Sequence, residues 1–283
     1  MVDDATAQMF AGLVDTVKRL AAGELVPATP RDAATVILLR EHSAGPEVYL
    51  LRRKPTMAFA AGFFVFPGGS VDPRDESFAD DAWVGPPPDQ WASRLSCDEP
   101  VARSLVCAAV RETFEESGVL LAGRSAADVV EDTSGAEWEA DRVALLDRSV
   151  SLAELLERRG LVLRADLLQA WSHWITPEVE PKRFDTRFFV AVMPAGQRTR
   201  DVGGEADRVV WVTAADALAA NQRGELAMLP PTRAALDDLA AYPDVAAVMA
   251  GAADRAVEPV MPKLVLDENE QVRFLLPADP DYR

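Results

Sequence analysis

The sequence predicts an α/β or α+β layered domain, on three observations. Short apolar runs at 33–40 (AATVILLR), 184–193 (FDTRFFVAVM) and 208–212 (RVVWV) have the length and composition of strands. Other segments repeat apolar residues three and four apart, as amphipathic helices do. The two kinds are mixed along the chain, which a layered fold requires. With 283 residues, 49% of them apolar and 27% charged, the chain can fill one large domain or two small ones.

The elements follow in order. Residues 5–22 have helical periodicity, with Met9, Phe10, Leu13, Val17 and Leu20 on one face. Residues 26–31 carry two prolines and read as a connector. The apolar run 33–40 is a buried strand, and 47–53 (EVYLLRR) is its hairpin partner across Gly45-Pro46. A third strand, 63–66, ends at Pro67-Gly68-Gly69. Residues 70–98 are acidic, hold prolines at 86–88, and contain Trp83 and Trp91. They read as an inserted loop with short helical turns near 89–95, and the tryptophans favour an ordered insertion. A helix then starts at Glu99-Pro100, where proline is tolerated, and stops at Gly118. Residues 137–170 read as helical with Gly160 as punctuation, and 167–175 is open between strand and helix. Helices are expected at 214–222, 231–241 and 243–254, and a candidate hairpin at 263–266 and 272–276.

The formal charge of −17 argues against a general nucleic-acid backbone binder, which needs a basic face. A small anionic substrate remains compatible, because a few arginines and a metal make a local positive site. Two cysteines, Cys97 and Cys107, cannot build a disulfide framework, and Cys107 reads as a buried free thiol. Two histidines and no G-x-S-x-G leave a hydrolytic triad poorly supported, and no Cys/His spacing suits zinc. No apolar run has the length of a membrane span. Asp3 and Asp4 open a terminus unlike a signal peptide, so the expected location is cytoplasmic.

The densest chemistry lies in Arg111-Glu112-Thr113-Phe114-Glu115-Glu116-Ser117-Gly118-Val119. On a helix turning about 100° per residue, Glu115 and Glu116 fall about −60° and +40° from Glu112. The three carboxylates therefore share one sector, while Val106, Val110 and Phe114 face the other way. Like charges at this spacing destabilise a helix by about 0.2–0.5 kcal/mol per pair. A hard divalent cation, which seeks oxygen ligands, would reverse that sign.

Phe66-Pro67-Gly68-Gly69 followed by Arg111-Glu112-x-x-Glu115-Glu116-x-Gly118-Val119 resembles the box of the Nudix hydrolases. The resemblance implies an α/β/α sandwich with a mixed central sheet and a loop–helix–loop site. It also implies Mg²⁺- or Mn²⁺-dependent cleavage of a nucleoside diphosphate linked to another moiety. Forty-one residues separate Gly69 from Arg111, roughly 28 more than the family's usual spacing. The family's glutamate six residues after the glycine has Asp75 or Glu76 as its counterpart, and Thr113 replaces an aliphatic residue. A box split in this way resembles the branch related to peroxisomal coenzyme A diphosphatases. Arg53 and Gly62 fit the signature that precedes the box in coenzyme A-cleaving members, while Lys54 and Ala58 depart from it.

Carried over residue by residue, the resemblance makes Glu112, Glu115 and Glu116 the metal ligands. Arg111 orients a carboxylate, Gly68 and Gly69 allow a tight turn, and Arg53 is a candidate for substrate contact. A further carboxylate is expected before a late strand, with Glu205 the best candidate and Glu178 and Glu180 weaker ones. The expected organisation is an N-terminal helix and connector (1–31), a Nudix domain (32–225) and a C-terminal helical extension (226–283) with a terminal hairpin. The extension is a candidate homodimer interface. Alternative readings are a diphosphatase for ADP-ribose, dinucleotides or nucleotide sugars, and a non-catalytic nucleotide-binding module of the same fold.

Overall fold

A computed structural model describes residues 13–55, 60–200 and 206–282. The chain divides into two compact units. The larger comprises Ala33–Ser172 and Arg187–Val257, the smaller Met1–Asp32, His173–Thr186 and Glu258–Arg283.

In the larger unit a sheet is built on β1 (Arg31–Arg40) and β2 (Glu47–Arg53), an antiparallel hairpin registered at Leu39↔Val48. Short strands β3 (Phe64–Val65) and β4 (Gly68–Ser70) pair with β2 and β1 respectively. Next come β5 (Trp83–Val84), helix α1 (Pro88–Leu95), helix α2 (Glu99–Ser117) and β6 (Ala122–Gly123). Helices α3 (Ala136–Leu146) and α4 (Leu152–Arg159) precede β7 (Val162–Arg164), β8 (Leu168–Ile175) and β9 (Phe184–Val192). Strand β10 (Ala206–Thr213) leads into α5 (Ala214–Gln222), α6 (Pro230–Leu239) and α7 (Val245–Ala253). The sheet order is β10-β2-β1-β9-β8.

Successive residues of a strand face opposite sides of a sheet, so a strand buried on both faces reads as a continuous apolar run. In β1, Val36, Ile37, Leu38 and Leu39 are all fully buried. Val36 and Leu38 join a core with α2, α4, Tyr49 and Leu51. On the opposite face Trp171 of β8 meets Tyr242, between α6 and α7, with ring centroids 6.0 Å apart. Helices thus cover both faces, giving the expected α/β/α sandwich. The described sheet pairings are mixed: β1–β2 and β2–β10 are antiparallel, and within the smaller unit His173 and Trp174 pair in parallel with Pro259 and Val260.

Residues 161–170 depart from the expected helix. Gly160 (φ 63°) caps α4 in the left-handed conformation, and the chain then extends into β7. Pairing decides this. Leu163 lies between Trp83 (parallel) and Ala122 (antiparallel) in a small three-stranded sheet, so tertiary partners override local helical periodicity. The open segment 167–175 resolves as the strand β8.

The same sheet orders the insertion. Pro73–Ser77 and Asp80–Ala82 form 3₁₀ turns, Trp83–Val84 pairs with β7, and Pro88 starts α1. Trp91 is buried and packs edge-on against Phe189 of β9 at 5.7 Å. Trp83 donates from its indole to the Pro86 carbonyl at 2.8 Å. Both tryptophans anchor the insertion by packing.

In the smaller unit, the described part of the N-terminal helix, Leu13–Ala21, turns Val17 into a cluster with Val179 and Leu264, beside Leu13 and Leu20. Met9 and Phe10 of the same expected face lie outside the described residues. Strands Lys263–Leu266 and Val272–Leu275 form the antiparallel tail hairpin. Arg183 is buried, donating to the carbonyls of Ala28 (2.8 Å) and Thr176 (3.0 Å), and His173 is buried against Asp185. No described helix is long and apolar enough to cross a membrane.

Candidate active site

Helix α2 holds the centre of the site, and both its ends match their sequence signals. The Asp98 side chain accepts the Val101 N–H at 3.0 Å, and Pro100 occupies the first turn. Gly118 closes the helix in the left-handed region at φ 75°, where glycine carries no side-chain penalty. Val106, Val110 and Phe114 are fully buried and fix the rotation of the helix. That rotation aims the glutamate sector at the turn after β3. Thr113 is buried too, its hydroxyl donating to the Ala109 carbonyl at 2.7 Å.

Arg111 organises the cluster although only 7% of it is exposed. Its Nη1 donates to Glu112 Oε1 (2.7 Å) and Glu115 Oε1 (3.2 Å). Its Nη2 donates to Asp75 Oδ2 and to the Ser70 carbonyl, both at 3.0 Å, and Nε donates to Asp75 Oδ1 at 3.1 Å. A planar guanidinium with five donors suits this span. Burial works against its charge, but Glu112, Asp75 and Glu115 more than compensate and hold it protonated.

The second half of the site closes on the first through backbone. The Gly68 N–H donates to Glu116 Oε2 at 2.8 Å. Gly69 lies so close to Glu112 that a Cβ there would stand 2.6 Å from the Glu112 carboxyl carbon. A side chain at Gly69 would therefore displace the Glu112 carboxylate from its place on Arg111, while the Gly69 backbone itself is ordinary strand.

Of the two counterparts considered for the family's next acidic residue, Asp75 is the one gripped by Arg111. It is buried, and it also accepts the Asp72 N–H at 2.9 Å in a reciprocal capping box with Asp72. Residues 70–75 thus belong to the site, and the extra chain lies between Asp75 and α2.

Two further residues support the site with no local signal in the sequence. Arg142 of α3 is buried and donates to the backbone carbonyl of Glu115 at 2.9 Å. Thr133 donates to the Gly118 carbonyl at 2.7 Å. Both satisfy carbonyls that the end of a helix leaves unpaired.

The structure brings Arg111, Glu112, Glu115 and Glu116 together with Gly68 and Gly69. Arg53 ends β2, its backbone bonded to Phe63 and Gly62 and paired with Ala206 of β10. Glu205 lies outside the described residues. Glu178 and Glu180 belong to the smaller unit.

The donors are carboxylate oxygens, the kind a hard divalent cation takes. Three carboxylates, from Asp75, Glu112 and Glu115, bond one buried arginine, and a fourth, from Glu116, accepts the Gly68 N–H. Burial pushes the Glu112 carboxyl up to about 7, with Arg111 opposing and Glu115 adding to the rise. Burial likewise raises Glu115. An added cation would relieve both. The side chains themselves are turned on Arg111 and Gly68, and among the described residues no group of three acidic, Cys or His side chains is arranged to hold a metal ion.

Residues 89–239, more than half of the chain, match the family model of the NUDT19 Nudix domain. The chain belongs to the Nudix family. The match covers α2 and its carboxylates and begins beyond Gly69. A Nudix hydrolase crystal structure from Alicyclobacillus acidocaldarius is 34% identical, with a TM-score of 0.67, covering 79% of this chain and 96% of that one. The acyl-coenzyme A diphosphatase NUDT19 of Xenopus laevis is 26% identical over 227 residues, covering 65% of this chain. Its Gallus gallus counterpart is 26% identical over 313 residues, covering 89% of this chain and 81% of that Nudix protein. The chain spans only 57% of the length of the Xenopus protein.

Proposed function

We propose that the chain is a metal-dependent diphosphatase that hydrolyses the pyrophosphate bond of a nucleoside diphosphate linked to another moiety, coenzyme A or acyl-coenzyme A being the favoured substrate. The reading rests on one observation. Arg111 gathers Glu112 and Glu115 while Glu116 accepts the Gly68 N–H at 2.8 Å, so the two halves of a split Nudix box meet in space. The coenzyme A preference is supported by the NUDT19 family match and by relatives described as acyl-coenzyme A diphosphatases.

Glu112, Glu115 and Glu116 are the residues that would hold Mg²⁺ or Mn²⁺. Bound there, the cation supplies charge neutralisation of the pyrophosphate and a more acidic water. The chain's own part is orientation. Arg111 fixes the Glu112 and Glu115 carboxylates, Asp75 fixes Arg111, and Arg142 fixes the Glu115 backbone. Gly69 leaves room for the Glu112 carboxylate at the turn. A water oxygen bonds to one phosphorus, the bridging P–O bond breaks, and the bridging oxygen leaves on the other phosphate. The water's proton passes to a carboxylate of the site, with Glu205 our candidate. With coenzyme A the products are 3′,5′-ADP and 4′-phosphopantetheine. The buried Cys107 thiol suits a reducing compartment, and we place the protein in the cytoplasm.

The test is turnover of coenzyme A, acyl-coenzyme A, ADP-ribose, NADH and diadenosine polyphosphates with Mg²⁺ or Mn²⁺. Cleavage of coenzyme A esters to 3′,5′-ADP supports the full reading. Cleavage of ADP-ribose or dinucleotides alone would overturn the substrate, and no turnover at all would favour a binding module.

A further inference from the structure

Helix α3 ends in an unusual way. The Arg148 N–H bonds to the Leu145 carbonyl at 2.9 Å and the Ser149 N–H to the Ala144 carbonyl at 3.0 Å. This is the Schellman arrangement, whose left-handed residue is usually glycine. Here it is Arg148, at φ 61°. A bulky residue in that region is strained, and such strain collects at functional positions.

The strained position is held from outside the helix. Arg74 grips Asp72 with two parallel hydrogen bonds (2.9 and 3.0 Å) and donates from Nη1 to the Arg148 carbonyl at 2.8 Å. Asp72 belongs to the turn whose Asp75 binds Arg111. The Arg148 backbone is thus pinned to the rim of the carboxylate cluster.

Its guanidinium is nevertheless left for another partner. The side chain is 77% exposed, and its ion pair with Asp72 is long, at 3.7 Å. Asp72 is already engaged by Arg74. A chain with a net charge of −17 must still receive a polyanion at this site if it cleaves pyrophosphate. An exposed guanidinium beside the acidic cluster meets that need, since arginine binds phosphate oxygens through paired N–H donors.

Resting on the proposed diphosphatase reading, we infer that Arg148 is a substrate-binding residue that takes a phosphate of the pyrophosphate-bearing substrate at the rim of the Asp75–Arg111–Glu115 cluster.

The decisive variant is Arg148→Gly, which relieves the backbone strain while deleting the guanidinium. Coenzyme A and ADP-ribose are assayed with Mg²⁺, alongside thermal unfolding. The expected result is a Tm equal to or above wild type and a KM raised about tenfold for the substrate turned over, with kcat changed less. Arg148→Lys, which keeps a point charge, should recover part of the loss. An unchanged KM in Arg148→Gly would overturn the inference and leave Arg148 as a helix-end charge only. If wild type turns over neither substrate, the diphosphatase reading fails first and the inference with it.

Discussion

Arg111 and Asp75 lie 36 positions apart in sequence, yet the Arg111 Nη2 and Asp75 Oδ2 are 3.0 Å apart in the interior. The pair joins helix α2 to the turn after β4 across the whole insertion. Asp75 is buried, so removing it leaves a buried guanidinium short of one partner. Asp75→Ala should cost about 3 kcal/mol, near the low end for a broken buried pair because Glu112 and Glu115 remain. Urea unfolding checks the loss, and Asp75→Glu should recover part of it. Wild-type stability in Asp75→Ala would show that the turn is held by other contacts.

Gly69 tests the close approach of the two box halves. A methyl group there would run into the Glu112 carboxylate. Gly69→Ala should lower stability by about 1–3 kcal/mol, as overpacking does, and should depress turnover more strongly than stability. Activity at 25 °C, well below the variant's Tm, separates the two effects. Gly62→Ala, at a glycine with φ 77° and open space for a Cβ, gives the contrast of strain without a clash.

Glu112 sets a pH dependence in the metal-free protein. Its folded carboxyl is raised from 4.5 to about 7, with burial the first cause. A raised acid binds its proton more tightly in the folded state, so ionisation opposes folding. Its destabilising effect is absent below about 4.5, grows as pH rises, and is complete above about 7. Glu112→Gln should flatten this part of the Tm–pH profile measured in EDTA. A profile with the same slope in the variant would assign the dependence to other groups.

The insertion is expected to be part of the folded core. Trp91 is buried against Phe189 of the central sheet. Trp91→Ala should therefore cost about 3–5 kcal/mol, the scale of an emptied aromatic site in a packed interior. Denaturant unfolding checks it, and a loss below about 1 kcal/mol would mean that the insertion is only draped on the surface.

Much of the layout was legible because local rules act where the relevant residues are neighbours. Asp98, Pro100 and Gly118 bracket α2, and the spacing of Glu112, Glu115 and Glu116 places them on one side of it. Gly45-Pro46 marks the β1–β2 hairpin, and the tail runs pair as expected. The missed features depend on distant partners. Leu163 becomes a strand residue because Trp83 and Ala122 flank it, and no window around 163 contains either. Counting six residues from Gly69 lands on Asp75, but an aspartate stands there where the family has glutamate and Glu76 follows it, and only Arg111, across the insertion, shows which of the two is engaged. Arg142 and Arg148 act through backbone carbonyls and an unusual helix end, which leave no pattern in residue types.

The central claim is that the Glu112–Glu116 cluster, closed by Gly68 and Gly69, performs metal-dependent pyrophosphate hydrolysis. Its most direct measurement is coenzyme A turnover, followed by release of 3′,5′-ADP, in wild type, Glu115→Gln and Glu116→Gln, each with Mg²⁺ and with EDTA. The account predicts turnover in wild type with Mg²⁺, none in EDTA, and a fall of about 100-fold or more in each variant at unchanged Tm. Full activity in both variants, or equal turnover in EDTA, would contradict it.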